Sequence, residues 1–86
     1  MARNARCQQF IDLVIAGTIV PPLVFKCRDR FTVTPEQRDE AIRGLDGPPA
    51  TKITPVVRAR MQIEDAAFAF KLGEVADLRK AGWVGV

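Results

Sequence analysis

The chain contains no histidine and no tyrosine, one tryptophan and only two cysteines. Without histidine it lacks the side chain most often used as a general base near neutral pH and the commonest metal ligand. Cys7 and Cys27 form no CxxC pair and have no further cysteine or histidine to join them, which excludes a zinc set and a Cys–His nucleophile pair. No GxGxxG, GxxxxGK[ST], HExxH, GxSxG or EF-hand pattern occurs. The acidic pairs Asp39–Glu40 and Glu64–Asp65 are sequence neighbours, which diverge by about 100° on a helix and so do not converge on one reacting atom. They read as helix-surface charges. The expectation is a chain that is not an enzyme, with no catalytic residue, no cofactor, no metal and no small-molecule substrate.

What is present suits a folded chain. Eighty-six residues make one domain at most, and a chain of that size buries only about 60% of its unfolded surface, so a partner would help it. With 48% hydrophobic and 27% charged residues it is not a disordered tail. Thirteen basic residues against ten acidic ones leave a net charge of +3, a mild excess. That excess is placed unevenly. Arg3 and Arg6 stand before the main apolar run, Lys26, Arg28 and Arg30 follow it, and Asp29 is the only acid among them. The pattern suits anionic lipid head groups, a partner subunit or a nucleic-acid backbone.

The apolar run FIDLVIAGTIVPPLVF, residues 10–25, is the stretch around which the chain is organised. A helix over residues 7–25 would span about 28 Å against a hydrocarbon core of about 30 Å. The length predicts a short transmembrane helix. Pro21 and Pro22 remove two amide donors, so that helix is expected to kink, and Asp12 would be its intramembrane polar residue. A continuous helix would hold Cys7 and Cys27 about 30 Å apart, leaving both as free thiols. No cleavable secretory signal follows the run, so the basic MARNAR segment is expected to act as part of an uncleaved signal anchor.

Two later helix starts carry the same chemistry. Thr34 followed by Pro35 and Glu36 predicts a short polar helix ending at Gly44 or Gly47, and Thr54 followed by Pro55 predicts a long one over residues 55–81. Gly73 is the weak point of the long helix and Gly82 its terminator. The DGPPATKI segment between the two is a loop and the best candidate linker. Val57, Met61, Phe68, Leu72 and Val75 form one apolar stripe of the long helix, adjacent to a second made of Val56, Ile63, Ala67, Phe70 and Leu78. The first stripe is the expected partner-docking face.

The expected fold is therefore all-α: one short proline-kinked transmembrane helix, then a short and a long amphipathic helix, extended in an assembly. Residues 1–31 hold the basic segment and membrane helix, residues 32–53 the short helix and linker, and residues 54–86 the amphipathic helix and tail. This plan resembles the small single-pass accessory subunits of mitochondrial inner-membrane respiratory complexes, through Arg3 and Arg6, the VPPLVF stretch, the cluster from Lys26 to Arg30 and the helix from Pro55. The resemblance implies a non-catalytic role in assembly and stability, without a redox centre, among the other subunits of a membrane complex and its lipids. The competing expectation is a soluble helical binding module, ribosome- or nucleic-acid-associated or homo-oligomeric. Nucleic acid ranks below protein and lipid as a partner, because few aromatics are interleaved with the basic residues.

Overall fold

Gly17 decides what becomes of the apolar run. Helix α1 (Ala5–Ile15) starts behind Asn4, whose side-chain oxygen accepts from the Arg6 amide at 2.8 Å. It stops where Gly17 turns to φ +80°: the Thr18 amide donates to Leu13 O at 2.9 Å and the Gly17 amide to Val14 O at 3.1 Å. These are the two bonds of a Schellman closure, which a glycine makes without Cβ strain. The chain leaves the helix before it reaches the prolines. The computed structural model describes residues 3–86; Met1 and Ala2, the first two residues of the basic N-terminal segment, lie outside the described residues.

Residues 10–25 thus form part of a helix, a turn, a β-bridge and a strand, and the expected transmembrane helix is not there. Among the described residues no helix is long and apolar enough to cross a membrane. The physical reason is one-sidedness. Phe10, Ile11 and Val14 are buried, while Asp12 and Ile15 on the same helix are exposed. A helix with one apolar face packs on a core, whereas a spanning helix needs to be apolar all round. Asp12 is accordingly a surface carboxylate that accepts from Gln8 Nε2 at 2.9 Å, not an intramembrane group. Pro21 and Pro22 kink nothing, because they stand outside every helix; Pro21 is buried and its carbonyl accepts from Arg38 Nη1 at 3.1 Å. The inner-membrane, respiratory-chain and electron-transport assignments rested on that span and go with it.

The all-α expectation is corrected too. Strands β1 (Val24–Phe25) and β2 (Phe31–Thr32) pair antiparallel, with Val24 opposite Thr32 and Phe25 opposite Phe31. The two phenylalanine rings stack at 5.1 Å, and the Val33 amide donates to Leu23 O just beyond the ladder. Helix α2 (Pro35–Arg43) begins with a full capping box, in which Thr34 Oγ1 accepts from the Gln37 amide and Gln37 Oε1 from the Thr34 amide. A 3-10 turn (Gly44–Asp46) continues it. Helix α3 (Pro55–Lys71) begins behind Thr54, whose hydroxyl accepts from the Val57 amide at 3.2 Å. The single helix expected over residues 55–81 is two, since α4 (Val75–Lys80) follows a break at Gly73. Gly73 closes α3 and Gly82 closes α4 with the same pair of bonds that Gly17 makes for α1.

Packing is built on α1 against α3. Phe10, Ile11 and Val14 share one cluster with Ala59, Ile63, Ala66 and Ala67, where the alanines leave room for the phenylalanine ring. Phe10 lies 5.3 Å from the ring centroids of both Phe70 and Trp83. The indole is therefore core. The C-terminal tail closes over this cluster through the bridge between Val20 and Val84, with N–O distances of 2.8 and 3.1 Å. Gly85, at φ +90°, lies so near the backbone of residues 18–19 that a Cβ there would strike the Thr18 carbonyl oxygen. The radius of gyration is 11.9 Å, which matches the value of about 12 Å for a compact chain of this length. The extended shape expected for a chain draped on an assembly is absent, because its helices bury their apolar faces on one another.

Candidate functional site

The five basic residues grouped by sequence as head-group or partner contacts separate into three environments. Arg3 is spent inside the molecule. Its Nη2 donates to Glu64 Oε1 at 2.7 Å and to Leu45 O at 2.7 Å, its Nε to Glu64 Oε2 at 3.3 Å, and its Nη1 to Gln8 Oε1 at 3.1 Å; Asp46 Oδ1 lies 3.6 Å away. This bidentate fork ties the start of the described chain to α3 and to the turn after α2. Hydrogen bonding to Glu64, helped by the charges of Glu64 and Asp46 and opposed by partial burial, raises the Arg3 pKa beyond its ordinary value, so the group is a permanent cation. Arg6 lies 4.7 Å above the Phe70 ring centroid, a cation–π contact at the rim of the core. Only Lys26, Arg28 and Arg30 remain together as an exposed group, on the loop joining β1 and β2.

The expected docking stripe is placed on the outside of the molecule. Helix α3 turns Ala59, Ile63, Ala66 and Ala67 inward, and on the opposite side Met61, Phe68 and Leu72 are 52, 53 and 56% exposed. Val57 is half-buried on the same side, while Val75 is half-buried on α4 beyond the Gly73 turn and leaves the stripe. Along the helix, Val57, Met61, Phe68 and Leu72 recur at spacings that keep them within about 60° of arc. Glu64 and Asp65 border the middle of this ridge on either side, with Arg58 near its start and Lys71 near its end. Lys71 Nζ sits 5.2 Å from the Phe68 ring centroid.

At the N-terminal end the ridge runs into an open cavity of about 270 Å³, lined by Pro49, Ala50, Ile53, Val57 and Met61 with Arg60 and Glu64 at its edge. Ile53 is 69% exposed. Sequence reasoning passed over Ile53, although a signal existed: it precedes the Thr54 cap, where an apolar residue normally staples to one at the fourth helical position, and here that position is Arg58. The two polar groups at the edge are committed elsewhere, Arg60 to the carbonyls of Gly47 and Pro48, each at 3.1 Å, and Glu64 to Arg3. Among the described residues no three His, Cys, Asp or Glu side chains are grouped to hold a metal ion. Cys7 and Cys27 are both free and half-buried.

Arg58 is the other residue that the sequence did not single out. It leans from α3 onto the hairpin, with its guanidinium carbon 4.1 Å from the Phe31 ring centroid and its Nη2 donating to Asp29 O at 3.2 Å. No local sequence signal joins position 58 to position 29.

No protein-family model matches the chain, and no solved structure matches it either. A stretch of 49 residues is 39% identical to accessory gland protein Acp36DE of Drosophila melanogaster, covering 57% of this chain and 5% of that protein. The chain thus spans about one-twentieth of the length of that curated relative.

Proposed function

We propose that this chain is a non-catalytic docking module whose outward α3 ridge, Val57, Met61, Phe68 and Leu72, receives an amphipathic helix of a different protein. The observation that carries the reading is the exposure of Met61, Phe68 and Leu72 at more than half of their surface on a single helix face. Contiguous apolar surface of this kind marks interaction sites, and long flexible side chains such as Met and Leu adapt to an incoming helix.

Charge selects the occupant. A second copy fits poorly, because two-fold pairing repeats each residue against its own surface. An antiparallel pairing centred between Met61 and Phe68 brings Asp65 within one residue of its own copy. A parallel pairing sets every charge against itself. The complementary occupant presents apolar residues at helical spacing, a basic side chain near its centre to meet Asp65 and an acidic one near the end that meets Lys71.

Photo-crosslinking tests this. A benzoylphenylalanine at position 68, compared with one at Asp39 on α2, is expected to label a distinct partner protein in the native cells. A helix from that partner is then expected to bind the purified chain with a negative heat-capacity change and to lose binding on Phe68→Ser. Labelling that is equal from the two positions, or confined to a second copy of the chain, would refute the proposal.

A further inference from the structure

The loop between β1 and β2, residues 26–30, carries Lys26, Arg28 and Arg30, all exposed, around the single acid Asp29. Among the described residues no carboxylate pairs with any of these three cations. The loop is nonetheless held in shape. The Asp29 carbonyl accepts from Arg58 Nη2 at 3.2 Å and from Cys27 Sγ at 3.1 Å, and the Arg58 guanidinium rests on Phe31, which stacks on Phe25. A fourth cation therefore stands at the base of a tip that already holds three.

We propose that this hairpin tip is a contact for the phosphate backbone of a nucleic-acid duplex. The argument is from what the tip has and what it lacks. Two of its three cations are arginines, whose planar forks match phosphate oxygens. Among the described residues the large exposed apolar side chains are Ile15, Ile53, Met61, Phe68, Leu72 and Val84, none of them in the tip. A protein interface draws its energy from buried aromatic or apolar anchors, and a membrane-surface contact of this size needs one as well. Phosphate binding needs neither, since its free energy comes from released counterions. With only two residues in each strand, the hairpin presents its charges to the backbone and reaches no base edges, so binding is independent of sequence. Arginines elsewhere do not extend the patch: Arg3 and Arg6 are engaged as described, and Arg38 donates to Pro21 O. This contact is separate from the α3 ridge.

Fluorescence anisotropy with a short duplex of arbitrary sequence, DNA or RNA, tests the proposal. Three or four phosphate contacts predict a log–log salt slope of about −3, so affinity should fall by about 40- to 150-fold between about 50 and 200 mM salt. Replacing Lys26, Arg28 and Arg30 together by Ala should abolish binding. Replacing Arg43, Lys71 and Lys80 by Ala, an equal loss of charge placed elsewhere, should preserve it. Arg28→Glu alone, at an exposed position, should flatten the slope by about one unit or more, and so decides the matter even where the triple variant melts early. Phe68→Ser should leave duplex binding unchanged while it removes helix docking, which separates this contact from the ridge. Absence of duplex binding at about 50 mM salt, equal loss in both triple variants, or tip-dependent capture by phosphatidylserine vesicles or polyglutamate with the duplex left free would overturn it.

Discussion

Helix α3 carries apolar side chains on two opposite faces, and they differ in kind as well as in burial. The inward face is made mostly of small residues, Ala59, Ala66 and Ala67 around one branched Ile63, all buried against α1 and the tail. The outward face is made of long side chains, Met61, Phe68 and Leu72, each more than half exposed. Small residues let two helices of one chain approach closely, and their cost of burial in side-chain entropy is slight. Long flexible ones cannot be satisfied by so small a chain, and they conform to a surface supplied from outside. Composition within a face, more than its hydrophobicity, separates what holds this molecule together from what it offers to others.

The largest effect should come from the inward face. Ile63 is fully buried, so Ile63→Ala should cost about 2 to 5 kcal/mol in chemical denaturation, through lost transfer energy and the cavity left behind. A cost below about 0.5 kcal/mol would erase the distinction between the two faces. Closure of the tail over that face is tested by Gly85→Ala, which forces a Cβ onto the Thr18 carbonyl at a left-handed φ. It should cost about 1 to 3 kcal/mol and speed amide exchange at Val20 and Val84, whose N–H groups form the bridge.

A smaller loss, on the order of 1 kcal/mol, is expected for Arg3→Ala, because the fork to Glu64 is only partly shielded from water. Since the Arg3 pKa is raised in the folded state, its contribution is fully present below the ordinary arginine range and is lost only as pH rises above it. Stability measured across neutral pH should therefore show no step from this residue. The smallest effect on folding belongs to the outward face. Phe68→Ser should change stability by no more than about 0.5 kcal/mol in either direction, while removing the docking of the partner helix. A large destabilisation there would mean that Phe68 belongs to the core, and the comparison would break from the other side.

Several pieces of this structure are legible residue by residue. Thr34–Pro35 and Thr54–Pro55 mark the starts of α2 and α3, since a cap needs only a hydroxyl and the amides of the next turn. Gly73 and Gly82 were visible as a weak point and a terminator, and both close helices. The run at residues 10–25 misleads because the length of an apolar run says nothing about where its side chains point. Its length suited a bilayer, whereas the Gly17 turn and the exposure of Asp12 suit a surface helix. For the candidate surfaces, the ridge residues on α3 could be grouped from their spacing, and Lys26, Arg28 and Arg30 from their adjacency. That Arg3 and Arg6 would leave the basic group, and that Arg58 would approach it, depends on Glu64, Phe70 and Phe31, partners far away in the chain.

By itself, then, the sequence determined where α2 and α3 begin, which residues recur along each face, and that no familiar catalytic or metal-binding pattern is present. Those properties are set within one or two turns of chain. Tertiary structure decided which of the two α3 faces is covered, which cations are spent internally and which stay free, and that the apolar run folds back as part of a core. Burial and ion pairing depend on what lies across the gap, and the carboxylate that pairs with Arg3 is 61 residues away.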